Sequence, residues 1–420
     1  MPLRTLAAVM LVISSASAAA ATPWPDYMPR LKAAISENTV DAKLPENVRV
    51  VAPEANVPAE HARFSGLWSG WACRSQFCDV KIAVERVDEA SATVVYARAY
   101  LGSGTPHDRL RGRFKDGELH GSLPDGRTLA LRLRDDGDME MLVLADGRPG
   151  ATGVLTQREL EYTRERIRLA TDLGDDGAPL SLAAIVYRPR ADGPLKTLLF
   201  HHGSTGGGND PSRFSYTWTN PRMVRWFVQR GWQVILPQRR GRGASEGVYS
   251  EGLNRARTSY ACEAELSLGG ATRALEDADA ILTAVLERAD VDPQKILFGG
   301  YSRGGIVALV HAAESNFRPL GVVNFVGGWM GDGCEEVARI NPVLTRRGAD
   351  SKAPTLWLHG DRDPYYSIAH SRKNFATFET AGGTGTLVTF RPPERANGHD
   401  IIYFPRIWGE AVEEFLDRVE

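Results

Sequence analysis

The sequence predicts a small all-β domain, a barrel or a sandwich, followed by a doubly wound α/β domain with a mostly parallel sheet. Apolar residues recur with a period of two from about residue 62 to 157, whereas from about residue 163 apolar strand-like runs alternate with helical ones. The chain has 420 residues, of which 43% are apolar, and is therefore long enough for two cores. We expect the first domain over residues 23–160 and the second over 161–420.

The first 22 residues have the three regions of a secretory signal peptide. Met1–Arg4 is positively charged, Leu6–Ile13 is apolar, and the Ala-Ser-Ala at 16–18 fits a small-residue cleavage signal. No cysteine directly follows the signal to carry a lipid anchor. We therefore expect an exported protein, periplasmic or secreted, in which residues 23–61 form an extended or partly helical lead-in.

Short antiparallel strands joined by tight turns are predicted for the rest of the first domain. Apolar residues alternate with smaller or charged ones over 80–84 and 129–133. Asp-Gly pairs, which tolerate the positive φ of hairpin turns, begin at residues 116, 125, 136 and 146. This pattern predicts a meander. We expect core packing, rather than a ligand-binding surface, for its aromatic residues Phe64, Trp68 and Trp71.

Continuous apolar runs mark the strands of the second domain, because strands of a parallel sheet are buried on both faces. The runs lie at 197–200, 233–236, 295–298, 321–326, 355–358 and 386–390. Helices are predicted between them. One begins with a cap at Asn220 and ends at Gly231, another covers 271–285, and a last one contains Trp408 and Leu416.

Four cysteines suit an oxidising compartment. Proximity favours a Cys73–Cys78 bond, which leaves Cys262–Cys334 as a link across the second domain, although four cysteines allow three pairings. A zinc site is the competing interpretation, but the paired C-x-x-C spacing is missing and no histidine lies near Cys73 or Cys78. We therefore expect disulfides and no metal.

The balance of charge argues against nucleic acid as a partner, and the length of the apolar stretches argues against a membrane span. The formal net charge is -2 at pH 7, so the chain has no basic excess that would bind nucleic acid. After the signal, no stretch reaches the ~18 apolar residues that a membrane span needs. We expect neither nucleic acid nor a membrane span, and the sequence leaves the oligomeric state open.

A candidate nucleophile lies in the stretch GGYSRGG, between the apolar run 295–298 and a predicted helix. Ser302 is the central residue of the pattern G-x-S-x-G, which in a strand-to-helix turn presents a serine on a strained backbone. The glycines would relieve crowding, and the helix N-terminus would favour a developing oxyanion. The alternative is a glycine-rich turn with an incidental serine, and the strand and helix around it favour the nucleophile.

A base and an acid follow in the chain order Ser, Asp, His that this turn requires. His399 lies in a polar loop before the last helix and would exchange the proton of Ser302. The loop after the run 355–358 offers two carboxylates, Asp361 and Asp363, and Asp332 is a further alternative. The residues alone leave the choice of acid open.

Over residues 163–420 the chain resembles the α/β-hydrolase superfamily, particularly its dienelactone-hydrolase-like and prolyl-oligopeptidase-like branches. The resemblance rests on the motifs at Ser302 and His399 and on the loop His359–Pro364, which matches the superfamily's H-G-x-x-D. It implies that Asp363 is the acid and that Asp361 shapes the loop.

The same resemblance implies an oxyanion hole. The stretch FHHGSTGGG at 200–208 is similar to the superfamily's H-G loop, so the backbone N–H groups of Ser204 and Arg303 would hold the oxyanion. His201 and His202 would then pack the loop rather than act in catalysis. No Lys-Ser or Lys-Thr follows the glycines, so we do not expect nucleotide binding or any cofactor.

The sequence therefore predicts an exported serine hydrolase that forms an acyl-enzyme, most simply on a small carboxylic ester. One alternative is an exopeptidase or small-peptide hydrolase of the prolyl-oligopeptidase-like type, which would need a group to hold a peptide terminus. A second alternative is an envelope ligand-binding protein with an inactive hydrolase domain. The complete set of Ser302, Asp363 and His399 argues against the second alternative.

Overall fold

The computed structural model describes residues 22, 24, 34–35, 42–72, 78–100, 105–134, 137–157, 162–174, 178–205, 210, 214–215, 217–392 and 396–420. Residues 1–21 of the predicted signal peptide lie outside this part of the chain, as do Cys73 and the side chain of Trp71. The predicted Cys73–Cys78 bond therefore falls outside the described residues.

The first domain is a closed barrel of eight antiparallel strands, in which each strand pairs with the next and the last pairs with the first. A short strand β1 (Ala34–Ile35) and a short helix α1 (Ala59–Ala62) precede it. The barrel strands are β2 (Gly66–Ala72), β3 (Cys78–Val87), β4 (Ser91–Tyr100), β5 (His107–Lys115), β6 (Glu118–Ser122), β7 (Thr128–Leu133), β8 (Met139–Ala145) and β9 (Arg148–Gln157). The predicted all-β domain is confirmed, and it is a barrel rather than a sandwich.

Asp-Gly pairs make the two-residue turns of this barrel. Asp116 (φ 53°) and Gly117 (φ 77°) join β5 to β6, and Asp146 and Gly147 join β8 to β9 with similar angles. Two successive residues with positive φ match the twist of the strands that they connect.

Apolar side chains fill the inside of the barrel. Val80, Ile82 and Val84, which the alternation placed on one face of β3, are at most 1% exposed. Phe64 and Trp68 are each 2% exposed, and the Trp68 indole N–H donates to the carbonyl oxygen of Phe64 at 2.8 Å. These two aromatic residues therefore belong to the core, as predicted.

The second domain has nine described strands, and six of them coincide with the six predicted apolar runs. They are β10 (Tyr162–Ala170), β11 (Ser181–Pro189), β12 (Leu195–His201), β13 (Thr217–Trp218), β14 (Gln233–Pro237), β15 (Val291–Tyr301), β16 (Val322–Phe325), β17 (Thr355–Gly360) and β18 (Gly385–Phe390). Eight of them form one sheet in the order β10-β11-β14-β12-β15-β16-β17-β18, in which only β11 runs against its neighbours.

Helices cover both faces of this sheet. They are α2 (Pro221–Val228), α3 (Ala264–Leu286), α4 (Arg303–Glu314), α5 (Val337–Gly348), α6 (Ile368–Thr380), α7 (Pro405–Val419) and a 3-10 helix (Gly398–Tyr403). Side chains of α2 and α7 share a core with one face of the sheet, and those of α3 and α4 share another with the opposite face. Asn220 caps α2 as predicted, because its side chain accepts from the N–H of Met223. Among the described residues, no helix is both long and apolar enough to cross a membrane.

Among the described residues, the two domains contact each other through an ion pair and a pair of short strands. The guanidinium of Arg225 on α2 forms an ion pair with Asp138, in the turn between β7 and β8. In the lead-in, β1 pairs with β13 of the second domain. Within the second domain, the predicted disulfide between Cys262 and Cys334 is present.

Candidate active site

Ser302 lies between the end of β15 at Tyr301 and the start of α4 at Arg303. Its backbone has φ 56° and ψ −124°, a conformation that costs a residue with a side chain on the order of 1–3 kcal/mol. Hydrogen bonds hold it there: the Ser302 N–H donates to Phe325 O, and its carbonyl oxygen accepts from Gly305 N, each at 2.9 Å. The turn therefore has the strained geometry that the motif predicted.

The glycines around the serine stand where a side chain would collide with backbone. A Cβ atom on Gly300 would lie 2.0 Å from the carbonyl oxygen of Gly304, and one on Gly304 would lie 2.1 Å from that of His201. Atoms that are not bonded do not approach so closely. The glycines thus allow the turn to close and α4 to pack against β12.

The loop after β12 passes directly beside the serine. A Cβ atom on Gly203 would lie 3.0 Å from the Cβ of Ser302. Ser204, one of the two predicted oxyanion donors, is the next residue along this loop, and Arg303, the other, is the first residue of α4. The fold therefore brings both predicted donor segments next to Ser302.

His399 and Asp363 are in direct contact, although 36 residues separate them along the chain. The His399 Nδ1 and the Asp363 Oδ2 are 2.8 Å apart. The other carboxylate oxygen accepts from the backbone N–H groups of Tyr365, at 2.8 Å, and Tyr366, at 3.1 Å. A carboxylate at Nδ1 favours the tautomer with its proton on Nδ1, so Nε2 is available as a base.

Three tyrosine rings surround the imidazole of His399. The ring centres of Tyr301, Tyr365 and Tyr366 lie 5.0, 4.8 and 5.6 Å from its centre. Because Tyr301 directly precedes Ser302, the imidazole lies beside the serine turn. Among the described residues, the Ser302 hydroxyl and His399 form no hydrogen bond with each other. In free enzymes this bond is often long, and it shortens when substrate binds.

The other two candidate acids lie elsewhere. Asp361 is exposed, and its carboxylate accepts from the backbone N–H of Arg362 at 2.9 Å. Asp332 lies 3.0 Å from the Nδ1 of a different histidine, His370. Of the three aspartates, Asp363 is the one that contacts His399.

The side chain of Arg303 is fixed inside the domain. Its guanidinium donates to the carbonyl oxygens of Trp329, at 2.9 Å, and Glu251, at 2.7 Å. It also lies over the rings of Tyr260, at 3.8 Å, and Trp329, at 4.4 Å. This anchoring fixes the first residue of α4, whose backbone N–H is a predicted oxyanion donor.

Tyr260 connects the two predicted donor segments, and the sequence analysis did not identify it. Its hydroxyl accepts from the backbone N–H of Thr205, the residue after Ser204, at 2.9 Å. Its ring lies against Arg303, and its hydroxyl is 2.5 Å from that of Tyr249. The residue belongs to no motif, and the one signal near it in the sequence is Cys262, two positions further on.

Buried histidines near the site are held uncharged. His201 and His202 are fully buried, which lowers their pKa values well below the usual range, and burial lowers the pKa of His359 to about 4. The His202 Nε2 accepts from the backbone N–H of Arg239 at 3.2 Å, and its Nδ1 is 2.7 Å from Gly203 O. This bonding supports the structural role predicted for His202.

These histidines should make the fold sensitive to acid. The unfolded chain binds protons on histidine near pH 6.5, whereas folded His359 does so only near pH 4, so stability is complete above about pH 6.5 and falls as the pH drops to about 4. His359 alone should contribute roughly 3 kcal/mol to this loss. Urea unfolding at pH 4.5 and pH 7 measures it.

A leucine substitution separates this effect from general acid lability. His359→Leu should reduce the slope of the unfolding free energy against pH, between about pH 4 and pH 6.5, by about one bound proton. If the unfolding free energy of His359→Leu depended on pH as that of the wild type does, His359 would not be a cause of the acid sensitivity.

The chain belongs to the Alpha/beta hydrolase family. The sequence model of this family matches residues 198–409, half of the chain, and this confirms the predicted membership. No curated protein matches the chain.

Several solved structures match the chain at low identity. A chain from Klebsiella pneumoniae assigned as a dienelactone hydrolase is 18% identical, with a TM-score of 0.38, and the match covers 61% of this chain and 98% of that one. An esterase from Pyrococcus furiosus is 17% identical, with a TM-score of 0.44 and coverage of 62% and 93%. A prolyl endopeptidase is 14% identical, with a TM-score of 0.44 and coverage of 84% of this chain and 52% of that one.

Proposed function

We propose that this protein is an exported serine hydrolase that cleaves small carboxylic esters through an acyl-enzyme. The observation that carries the proposal is the strained Ser302 turn at the carboxyl end of β15, with the His399–Asp363 pair after the ends of β17 and β18. Carboxyl ends of parallel strands meet at one edge of a sheet, so the three residues share that edge. A strained serine beside an oriented imidazole is the arrangement that acyl transfer requires.

The proposed reaction has two halves. The Ser302 oxygen attacks the ester carbonyl carbon while the Nε2 of His399 takes its proton, and the N–H groups of Ser204 and Arg303 bind the oxyanion. The alcohol leaves with the proton from His399, and Ser302 carries the acyl group. Water then attacks the acyl-enzyme, gives a proton to His399, and releases the acid as Ser302 regains its hydrogen.

Three carboxylates near the site have partners within the chain, and this supports esters over peptides with a free N-terminus. Such a peptide needs an acid for its ammonium group. Asp363 is bound to His399, Asp332 lies against His370, and Glu251 forms an ion pair with a buried arginine at 2.6 Å. These three carboxylates are already occupied by partners within the chain.

Export is the part of the proposal that rests on the N-terminal sequence. The Cys262–Cys334 disulfide supports it, because disulfides persist in oxidising compartments such as the periplasm and the extracellular space.

A panel of activated substrates tests the function. We expect the wild-type protein to hydrolyse p-nitrophenyl acetate and butyrate, and to cleave aminoacyl p-nitroanilides far more slowly. Ser302→Ala provides the blank for every substrate. Faster turnover of the anilides than of the esters would indicate a peptidase. If neither the esters nor the anilides were turned over in a Ser302-dependent way, the alternative of a ligand-binding protein with an inactive hydrolase domain would be favoured.

Loss of the Tyr260 hydroxyl should weaken the proposed oxyanion hole without removing a reacting group. Tyr260→Phe keeps the ring against Arg303 but loses the bond to the Thr205 N–H. We expect kcat to fall about 10-fold with little change in KM, because the oxyanion forms only in the transition state. Steady-state kinetics on p-nitrophenyl butyrate measure both constants.

A second tyrosine provides the control. The Tyr187 hydroxyl is 2.8 Å from that of Thr219, a buried contact in the same domain. Tyr187→Phe should lower thermal stability but keep the wild-type kcat. Equal losses of kcat in the two variants would show that Tyr260 supports only the fold.

A further inference from the structure

Solvent reaches one of the three tyrosine rings around the imidazole of His399. Tyr365 is 51% exposed, whereas Tyr301 and Tyr366 are 5% and 4% exposed. Because the two buried rings are packed within the domain, a molecule that approaches His399 from solvent has the ring of Tyr365 as its aromatic contact. The proposed reaction gives this side chain no role.

The ring of Tyr365 is held in place by its backbone and by the imidazole. The Tyr365 N–H donates to Asp363 Oδ1 at 2.8 Å, and its carbonyl oxygen accepts from the N–H of Asp332 at 2.9 Å. The ring stands edge to face against His399, with centres 4.8 Å apart and an angle of 69° between the planes. Its hydroxyl forms no hydrogen bond with another described residue. A ring that is already fixed loses little conformational entropy when a ligand packs against it.

The chemistry of acyl transfer decides which part of an ester lies beside His399. In the tetrahedral intermediate, the former carbonyl oxygen points to the N–H groups of Ser204 and Arg303, whereas the oxygen of the departing alcohol accepts a proton from His399 Nε2. That second oxygen has to lie within about 3 Å of Nε2. The alcohol part of the ester is therefore next to the imidazole, and the acyl chain extends from the carbonyl carbon along a different bond.

We propose that Tyr365 selects esters whose alcohol part carries an aromatic ring, which packs against the tyrosine ring. Contacts between aromatic rings are favourable beyond the apolar area that they bury. The selection concerns the alcohol part and not the length of the acyl chain. This inference rests on the proposed ester hydrolysis, because the proton transfer from His399 is what brings the alcohol part beside Tyr365.

Three esters that differ in one part at a time test the proposal: benzyl butyrate, ethyl butyrate and benzyl acetate. Tyr365→Ala should lower kcat/KM for benzyl butyrate about 10-fold and change that for ethyl butyrate by at most about 2-fold. The ratio of kcat/KM between benzyl butyrate and benzyl acetate should stay as in the wild type, since these two esters share their alcohol part. Each ester is compared between proteins, so its intrinsic reactivity cancels.

A conservative variant separates the ring from the hydroxyl. Tyr365→Phe keeps the ring and should keep the wild-type ratio between benzyl and ethyl butyrate. A loss of this ratio in Tyr365→Phe would overturn the proposed ring contact. An equal loss for both butyrates in Tyr365→Ala would also overturn it, because Tyr365 would then only position Asp363 and His399.

A binding measurement keeps this inference distinct from the proposed hydrolase function. NMR titration with benzyl acetate needs no turnover when it is made on Ser302→Ala and on the double variant Ser302→Ala/Tyr365→Ala. We expect the double variant to bind about 10-fold more weakly. An inactive wild-type protein that still shows this difference would refute the hydrolase and retain the aromatic contact, whereas equal affinities would overturn the role of Tyr365.

Discussion

Ser302→Ala is expected to lower kcat for p-nitrophenyl butyrate by about 10⁶-fold, because no covalent intermediate can form without the hydroxyl. The strained turn should persist, since Ser302 is held by backbone bonds to Phe325 and Gly305 that alanine also makes. The remaining activity would come from substrate binding and the oxyanion hole alone.

Covalent labelling provides a second measurement of the same residue. A fluorophosphonate probe should modify the wild-type protein at Ser302 and leave Ser302→Ala unmodified. Ser122→Ala, at an exposed position on β6, is the control and should be labelled normally. A wild-type protein that resists the probe would count against the nucleophile and in favour of the binding protein.

Asp363→Asn is expected to lower kcat by about 10⁴-fold with little change in KM. The asparagine could still bind the Tyr365 and Tyr366 N–H groups through its carbonyl oxygen, which would leave its amide group facing His399. An amide donor favours the tautomer with the proton on Nε2, so the imidazole could no longer accept the proton of Ser302.

Asp361→Asn is the matched control for this acid. It lies in the same loop but is exposed and contacts the backbone of Arg362, so we expect kcat within about 2-fold of the wild type. Steady-state kinetics on one ester compare the two variants. A larger loss in Asp361→Asn would reverse the assignment of the acid.

Local patterns predicted most of the elements, because each depends on residues close together in the chain. The Asp-Gly pairs at 116 and 146 are hairpin turns, and all six apolar runs are strands. Closure of the barrel could not be predicted, since it depends on pairing of Trp68 with Gln157 across the whole domain. Strands β10 and β11 lie outside the six predicted runs, and the Arg and Glu residues of β10 interrupt the apolar pattern at the sheet edge.

The residues of the candidate site also differ in whether a local sequence pattern predicts them. The motif at Ser302 and the chain order identified Ser302 and His399, but the residues alone left three aspartates open. Only the resemblance singled out Asp363, and the structure places it against His399. Tyr260 was not predictable, because its contacts to Thr205 and Arg303 join segments that are 55 and 43 residues away and meet only in the folded chain.

The Cys262–Cys334 bond has a consequence for the unfolded chain. It closes a loop over a sequence separation of 72 residues, and Ser302 lies inside that loop. In the chain-entropy description, a loop of this length lowers the conformational entropy of the unfolded state enough to stabilise the fold by roughly 4 kcal/mol. A cell that keeps thiols reduced would lose this contribution, so the stability of the segment that carries the serine depends on the redox state of its surroundings.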